Sequence, residues 1–233
     1  MRIATLNLNH RTHAKCIPEG LCEALGGLNA DVLVLTEYVD GDGRMDFKRA
    51  LSHRGFENIL ISEAIPYTRG RWQNQIMIAS RMSMEALDRP KMSPDHQDDS
   101  ALSNFLSVEI NGLRITGLRA PTYKRVAEWY AYWEWLASVL DADVLIGDLN
   151  VDPSRRRKKD RVLDSLTRPL GMTLVKPVGV WSYKGQNGSK ACLDHILTRD
   201  LKVSGARYIT SPFVPSLTDH AALVADIEPF YTV

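Results

Sequence analysis

A carboxylate and an amide follow a short apolar run near the middle of this chain. Residues 144–150 read VLIGDLN, in which the run breaks at Gly147 and is followed by Asp148 and Asn150. Side chains alternate along a strand, so Asp148 and Asn150 are expected on one face and Leu149 on the other. Ligands of open α/β sheets bind just past the carboxyl ends of such strands. The stretch predicts a ligand-binding edge, although alone it fits an ordinary strand followed by an Asp/Asn turn better.

Two earlier segments end in the same kind of residue. Residues 3–8 alternate between apolar and polar side chains and place Asn7 and Asn9 on one face. The segment LNADVLVLTE, which ends at Glu37, resembles LDADVLIGDLN, which contains Asp148. We interpret the two as similar crossings within one sheet. If their strands are parallel, Glu37 and Asp148 emerge at the same edge.

Aspartate and histidine residues lie at two strands in the last fifth of the chain. Asp194 belongs to a short strand within residues 191–197, and Asp219 and His220 introduce a final strand over residues 221–227. An isolated Asp-His pair is more often a turn or a hydrogen-bonded structural histidine. If the last strand is antiparallel to the others, however, its beginning meets their ends. The acids, amides and His220 would then share one site.

A hairpin and a helix are the clearest elements in the middle of the chain. Two alternating segments, 105–110 and 113–118, flank Asn111-Gly112, which predicts a type I′ turn. Residues 123–140 have apolar side chains at helical spacing. Tyr132 and Trp135 fall outside that apolar stripe and are therefore candidates for contact with a partner.

Basic residues cluster just after the central motif. Six of the seven residues 155–161 are Arg or Lys, and Asp152 and Pro153 predict the start of a helix that carries them. Such a helix suits phosphate binding, and a solvated basic face is an equally good interpretation. A loop at residues 68–75 contains two arginines and a tryptophan that suit base stacking, but such loops are more often simply solvated.

Length and composition limit the class of protein. The 233 residues, 44% hydrophobic and 24% charged, predict one domain spanning residues 1–233. The formal net charge is +1, so any surface for a polyanion must be local. Three cysteines without zinc-ligand spacing are typical of reduced thiols in a cytoplasmic protein. No apolar run approaches the roughly 18 residues of a membrane span, so we expect none.

Taken in order, these motifs resemble the endonuclease/exonuclease/phosphatase superfamily, which includes apurinic endonucleases and deoxyribonuclease-like enzymes. The resemblance covers essentially the whole chain. Each short motif is weakly specific, whereas the ordered set is strongly specific. The residues that carry it are Thr5-Leu6-Asn7, Leu35-Thr36-Glu37, Ile78-Ala79-Ser80-Arg81, Gly147-Asp148-Leu149-Asn150, Trp181 with Leu193-Asp194-His195-Ile196-Leu197, and Thr218-Asp219-His220.

This resemblance implies an α/β fold, a four-layer sandwich of two packed mixed β-sheets flanked by α-helices. It also implies an enzyme that hydrolyses phosphodiester or phosphomonoester bonds with Mg²⁺ or Mn²⁺. The residue types agree independently. Phosphoryl transfer needs a hard cation on oxygen ligands, an oriented water molecule, and donors to the phosphoryl oxygens.

The resemblance assigns roles to the residues of the first and central motifs. Glu37 is the principal metal ligand, with Asn7 and Asp219 near the metal directly or through water. Asn7 is also assigned to substrate binding. Asp148 orients or deprotonates the attacking water, and Asn150 holds that carboxylate and the phosphate.

The remaining assignments concern the phosphate and the rest of the substrate. His220 would donate to the phosphoryl oxygens, with its ring held by Asp194. Arg119 and Trp181 are the other candidates for substrate binding. Arg119 and Thr122 stand where apurinic endonucleases usually carry a tyrosine and, three residues later, an asparagine. An arginine can bind a phosphate through two donors, which a tyrosine cannot do. Phosphoesterase activity is therefore better supported than specificity for abasic sites.

Three functions remain open at this point. The leading hypothesis is a divalent-metal phosphodiesterase acting on nucleic acid, DNA or RNA, because the motifs are joined by the basic segment. A hydrolase of a small phosphorylated metabolite or lipid headgroup is compatible with the near-zero net charge. A member that only binds nucleic acid or protein is disfavoured, because none of the expected catalytic residues has been lost.

Overall fold

Two six-stranded β-sheets form the framework of the protein. The computed structural model describes residues 1–10, 17–18, 20–41, 44–63, 74–91, 104–122, 125–155 and 158–229. The first sheet has the strand order β13-β14-β1-β2-β4-β3, and the second has the order β5-β6-β7-β8-β12-β9. Each is mixed, because β1 pairs with β2 and β7 pairs with β8 in parallel while the other pairs are antiparallel.

The strands and helices follow one another along the whole described chain. The strands are β1 Arg2–Asn7, β2 Val32–Tyr38, β3 Asn58–Ile61, β4 Gln75–Ser80, β5 Glu85–Ala86, β6 Phe105–Ile110, β7 Leu113–Arg119, β8 Val144–Asp148, β9 Thr173–Leu174, β10 Tyr183–Lys184, β11 Lys190–Ala191, β12 Asp194–Thr198, β13 Leu201–Ile209 and β14 Ala222–Pro229. The α-helices are α1 Leu21–Gly27, α2 Met45–Ser52, α3 Val126–Val139 and α4 Asp164–Thr167, and two 3₁₀ helices span Pro153–Arg155 and Lys158–Arg161.

Three hydrophobic clusters separate four layers. Along β2, Val32 and Val34 join the cluster between the two sheets, whereas Leu33 and Leu35 join a cluster shared with α1 and α2. A third cluster lies between the second sheet and α3. Strands that are buried on both faces alternate their side chains between two cores, which explains their continuous apolar runs. The predicted four-layer α/β sandwich is confirmed.

The two similar acidic segments belong to different sheets. We predicted that the strands ending near Glu37 and Asp148 lie in one sheet, but β2 is in the first sheet and β8 is in the second. Each strand does lie parallel to the strand of its own sheet that precedes it in the chain. The two sequence patterns are alike because β2 and β8 have equivalent parallel neighbours, β1 and β7. A local pattern of this kind does not specify the sheet to which a strand belongs.

The central hairpin forms as predicted. Strands β6 and β7 pair from Ile110 with Leu113 outward, and both turn residues have positive φ, 52° at Asn111 and 75° at Gly112. A type I′ turn needs this backbone conformation at both positions, and asparagine and glycine adopt it at the lowest cost.

Two predictions about helices were wrong. Tyr132 and Trp135 are buried, with 1% and 6% of their surfaces exposed, so they are core residues of α3 and not a partner surface. The α3 helix is enclosed more widely than a single amphipathic stripe requires. The basic segment is not an α-helix either, because the described parts form two short 3₁₀ helices.

Several predicted features lie outside the described residues. They include Arg156 and Arg157, and residues 68–73 of the loop that contains two arginines and a tryptophan. Within the described ranges, no helix is long and apolar enough to cross a membrane.

The tight approach of the two sheets at Gly117 gives a test of this packing. A Cβ atom at Gly117 of β7 would lie 2.8 Å from methyl groups of both Val34 and Ile76, which belong to the opposite sheet. Branched side chains of two buried strands cannot move aside easily, so Gly117→Ala should lower the free energy of unfolding by about 1–3 kcal/mol. Urea denaturation measures this change. Gly205→Ala, at a strand glycine whose Cβ would meet nothing within 4 Å, is the control and should change little.

Candidate active site

Six strand ends meet at one end of the sandwich. Strands β1 and β2 finish there in the first sheet, as do β7 and β8 in the second. Because β14 is antiparallel to β1, and β12 is antiparallel to β8, both of these strands begin at that same end. The topology therefore gathers the predicted polar residues from distant parts of the chain, as the sequence predicted for an antiparallel last strand.

Asp148 is held by donors from both sheets. Its Oδ2 accepts a hydrogen bond of 2.9 Å from Asn7 Nδ2, across the gap between β1 and β8. Its Oδ1 accepts from the backbone N–H of Asn150 at 3.0 Å, and the Asn150 side-chain amide donates to the carbonyl of Ala120 at 2.7 Å. Asn150 has φ of 52°, so it has left the strand conformation. These contacts fix the carboxylate of Asp148, which is 2% exposed, in one orientation.

A β-bulge positions Glu37. The pairing of β2 with β4 shifts register between Leu35 and Tyr38, and Glu37 within the shift has φ of 54°. Bulges re-aim side chains at the edges of sheets. The Glu37 carboxylate accepts a hydrogen bond at Oε1 from Arg119 Nε, 2.7 Å away, and its Oε2 lies 3.0 Å from His10 Nε2. Both oxygens of Glu37 therefore face nitrogen groups.

Asp194 and His220 form a buried pair beside Asp148. His220 Nδ1 and Asp194 Oδ2 are 2.7 Å apart, and Asp194 stands directly opposite Asp148 in the pairing of β12 with β8. The backbone N–H of Asp194 donates to Ser182 Oγ at 3.0 Å, and Tyr208 Oη donates to the Asp194 carbonyl at 2.9 Å. The predicted orientation of His220 by Asp194 agrees with this geometry.

Thr218 connects this pair to the first strand. Its hydroxyl donates to the Asn7 carbonyl at 2.8 Å, and the backbone N–H of His220 donates to Thr218 Oγ1 at 3.3 Å. Tyr183 packs against the His220 ring, with 5.1 Å between the ring centroids. Sequence reasoning missed the positioning contacts of Ser182, Thr218 and His10, because hydroxyls and a turn histidine look ordinary in a linear sequence.

The buried charges shift the pKa values of these groups in different directions. Burial and the carboxylate of Asp194 raise the pKa of Asp148 to about 6, against the opposing charges of His220 and Arg119. Burial alone would lower the pKa of His220, but Asp194 raises it to about 9. Near neutral pH the site therefore contains a mostly ionised Asp148 next to a protonated His220. Two neighbouring groups whose environments separate their pKa values in this way are suited to act as base and acid.

Glu37 and Asp219 have opposite shifts. Burial would raise the pKa of Glu37, but the charges of Arg119 and His10 outweigh it and lower the value. The pKa of Asp219 is raised, chiefly by burial and further by the charge of Glu37, although His220 opposes the shift. The carboxylates of Glu37 and Asp219 thus repel each other in a partly desolvated part of the site.

The donor set fits a hard divalent cation. Glu37, Asp219 and Asn7 offer oxygen atoms, which Mg²⁺ and Mn²⁺ prefer, and a cation would relieve the repulsion between the two carboxylates. Asn7 Oδ1 currently accepts the backbone N–H of Asn9 at 2.7 Å. Within the described part of the chain, no group of three or more His, Cys, Asp or Glu residues is already close enough together to hold a metal ion.

Among the described residues, Trp181 and Arg155 have their contacts outside the group of convergent residues. The Trp181 ring lies under the Lys190 ammonium, 5.0 Å from its centroid, and no hydrogen bond or ring contact joins this side chain to the carboxylates in the described ranges. Trp181 directly precedes Ser182, which holds the backbone of Asp194. Arg155 pairs with Asp152 at 3.0 Å and donates to the Lys190 carbonyl, so this arginine is partly neutralised.

Comparison with family models identifies the family of the chain. Residues 4–220 match the model of the endonuclease/exonuclease/phosphatase family. The chain belongs to this family. Its members are generally hydrolytic phosphoesterases, and the family is generally dependent on divalent metals. The match contains every candidate residue from Asn7 to His220.

Solved structures share the fold of this family member. An AP endonuclease from Archaeoglobus fulgidus superposes with a TM-score of 0.71 at 16% identity, covering 98% of this chain and 99% of the other. A 3'-5' exonuclease from Neisseria meningitidis gives 0.69 at 21% identity, covering 98% and 100%. A 3' phosphatase from Neisseria, bound to a product DNA hairpin, gives 0.66 at 20% identity, covering 98% and 99%. A search of curated proteins found no match.

Gly147 provides a test of how the backbone of β8 positions Asp148. Gly147 has φ of 144°, and a Cβ atom there would lie 2.0 Å from the carbonyl oxygen of Leu118 on β7. A backbone carbonyl in a paired strand cannot move away easily. Gly147→Ala should therefore separate β7 from β8 directly beside Asp148. We expect a loss of about 2–4 kcal/mol in the free energy of unfolding, from strain and overpacking combined.

Urea denaturation again provides the measurement. The matched control is Gly27→Ala in α1, where a Cβ atom meets nothing within 4 Å. That change should be neutral or stabilise by up to about 1 kcal/mol, since alanine is the better helix former. Equal stability of the Gly147→Ala and wild-type proteins would contradict the role given to this glycine.

Proposed function

We propose that this protein is a divalent-metal-dependent phosphodiesterase that hydrolyses DNA or RNA. The observation that carries the proposal is the convergence of Asp148 and the Asp194–His220 pair, with Asn7 of the opposite sheet bonded to Asp148. A base and a protonated donor on adjacent strands match the needs of phosphoester hydrolysis by water.

Asp148 is the group that orients and deprotonates the attacking water. Its pKa of about 6 leaves it ionised near neutral pH while keeping it basic enough to accept a proton. The Asn7 amide and the Asn150 N–H hold its two oxygens, so its orientation is set before a substrate arrives. Asn150, which holds this carboxylate, is also proposed to help position the phosphate.

His220 donates to the phosphoryl oxygens. Its Nδ1 faces Asp194, which leaves Nε2 as the donor, and its raised pKa keeps the ring protonated. A protonated imidazole stabilises the negative charge that develops on the phosphoryl group. Tyr183 packs on the ring and limits its rotation.

Glu37, Asn7 and Asp219 are the residues that would hold Mg²⁺ or Mn²⁺. A bound divalent ion supplies Lewis-acid stabilisation of the phosphoryl charge. For the chain itself, the consequence is that Glu37 must remain ionised, and its lowered pKa agrees with that requirement.

A nucleic acid is the favoured substrate class because similar folds belong to an AP endonuclease and a 3'-5' exonuclease, and because a basic segment follows the central motif. A phosphomonoesterase is the second candidate. It is favoured by Arg119, which adds a cation next to Glu37 and Asp148, where the extra charge of a terminal phosphate would be neutralised.

Removing the proposed base or donor should abolish hydrolysis without unfolding the protein. Asp148→Asn and His220→Ala should each lower the rate on bis(p-nitrophenyl) phosphate with Mg²⁺ by at least about 100-fold, since general acid and base groups contribute 10²–10⁴-fold. Excess EDTA should have a similar effect on the wild type. Asp46→Asn, an exposed aspartate on α2, is the matched control and should retain full activity. Retained activity in either folded site variant would refute the assignment.

Neutralising the basic segment should weaken the salt dependence of nucleic-acid binding. Replacing Arg155, Arg156 and Arg157 with glutamine should reduce the slope of log K against log salt by about 2, since each phosphate that is no longer neutralised lowers the slope by about 0.9. We expect an effect smaller than that of three phosphates because Asp152 already pairs with Arg155. Arg49→Gln on α2 is the control. An unchanged slope would favour a small phosphoester.

A substrate panel separates the two candidates. It contains single-stranded, duplex, nicked and abasic DNA, RNA, and phosphate monoesters, each with and without EDTA. Cleavage of internal bonds would support the phosphodiesterase, whereas release of terminal phosphate alone would support the phosphomonoesterase.

A further inference from the structure

Arg119 contacts the carboxylate that is proposed to hold the metal. Its Nε donates to Glu37 Oε1 at 2.7 Å, and the side chains of Arg119 and Glu37 are 19% and 8% exposed. Glu37 is the one polar partner of this guanidinium among the described residues. Within the described ranges, the two terminal nitrogens of Arg119 bond to no other group and can donate to another anion.

The position of Arg119 makes it sensitive to a second cation. It pairs in register with Asp148 at the ends of β7 and β8, and its charge acts on both Asp148 and Glu37. Glu37 already faces His10 at its other oxygen. Like charges in a partly desolvated site repel more strongly than in water. A divalent ion on Glu37 would therefore make the present position of Arg119 unfavourable.

We propose that Arg119 and the divalent cation compete for Glu37, and that Arg119, once released, binds the substrate phosphate. In the metal-free protein the guanidinium stabilises the buried Glu37 carboxylate and so weakens cation binding. Arg119 then serves as a phosphate ligand only after the cation is in place. By thermodynamic linkage, cation and phosphate each strengthen the binding of the other. This inference rests on the proposed metal-dependent function.

An alternative role would have the opposite effect on affinity. Arg119 could simply hold Glu37 in position for the metal, as neighbours of metal ligands often do. Loss of Arg119 would then weaken cation binding. Competition instead requires that loss of Arg119 strengthens it, so the sign of the change separates the two roles.

Titration calorimetry with Mn²⁺ on the metal-free protein measures that sign. Arg119→Met should bind Mn²⁺ about tenfold more tightly than wild type, as expected when a charge-assisted hydrogen bond no longer opposes binding. The matched control is Arg114→Met, on the same strand, whose arginine pairs with Asp141 and Asp143. It should bind like wild type, and Glu37→Gln should bind weakly or not at all.

The outcomes distinguish this inference from the function on which it rests. Equal or weaker binding by Arg119→Met overturns the competition while leaving the metal-dependent hydrolase intact. No Mn²⁺ binding by wild type overturns both. Inorganic phosphate should gain more affinity from saturating Mg²⁺ in wild type than in Arg119→Met, and equal gains would overturn the transfer of Arg119 to phosphate.

A measurement on the wild-type protein covers the case in which Arg119→Met does not fold. The Nε–H signal of Arg119 in a nitrogen–proton correlation spectrum, identified by its loss in Arg119→Lys, reports the contact with Glu37. Saturating Mg²⁺ should move this signal in the wild type. An unmoved signal in protein that calorimetry shows to be loaded would overturn the proposal.

Discussion

The hydrogen bond from Asn7 to Asp148 connects the two sheets at the point where charge is most concentrated. Asp148 is almost fully buried, and a buried carboxylate is tolerated only when its oxygens are paired. One donor comes from the first sheet and the other from the chain just beyond β8. The sandwich must therefore hold its sheets in a single relative position, and the close approach at Gly117 helps to maintain it.

The need to hold buried polar side chains in fixed positions also explains the backbone conformations around the site. Asn9, His10, Glu37 and Asn150 all have φ between 48° and 54°, a region that side chains other than glycine seldom adopt. Such conformations tend to cluster at functional sites, where surrounding contacts maintain them. Here they occur where strands end, and each of the four residues bonds to or faces a residue of the candidate site. Strain and hydrogen bonding act together to aim these side chains.

Charge is distributed so that each of the three buried acids of the candidate site, Asp194, Glu37 and Asp148, has a basic neighbour. Asp194 faces His220, Glu37 faces Arg119 and His10, and Asp148 lies within the influence of His220 and Arg119. These pairs are costly to break, because removing one partner leaves an uncompensated buried charge. The charged groups are therefore in position before a substrate binds. Such preorganisation is a major source of transition-state stabilisation in enzymes.

The sequence alone determined the strand ends, the hairpin at Asn111-Gly112, the family and the identity of the convergent acids and amides. These are local properties, set by side-chain alternation, turn chemistry and ordered motifs. Only the tertiary structure decided that the strands of Glu37 and Asp148 belong to different sheets, and that Tyr132 is buried. It also decided that Arg119 faces Glu37. The physical reason is that sheet partners, burial and charge pairing depend on contacts between residues far apart in the chain, which local sequence periodicity does not encode.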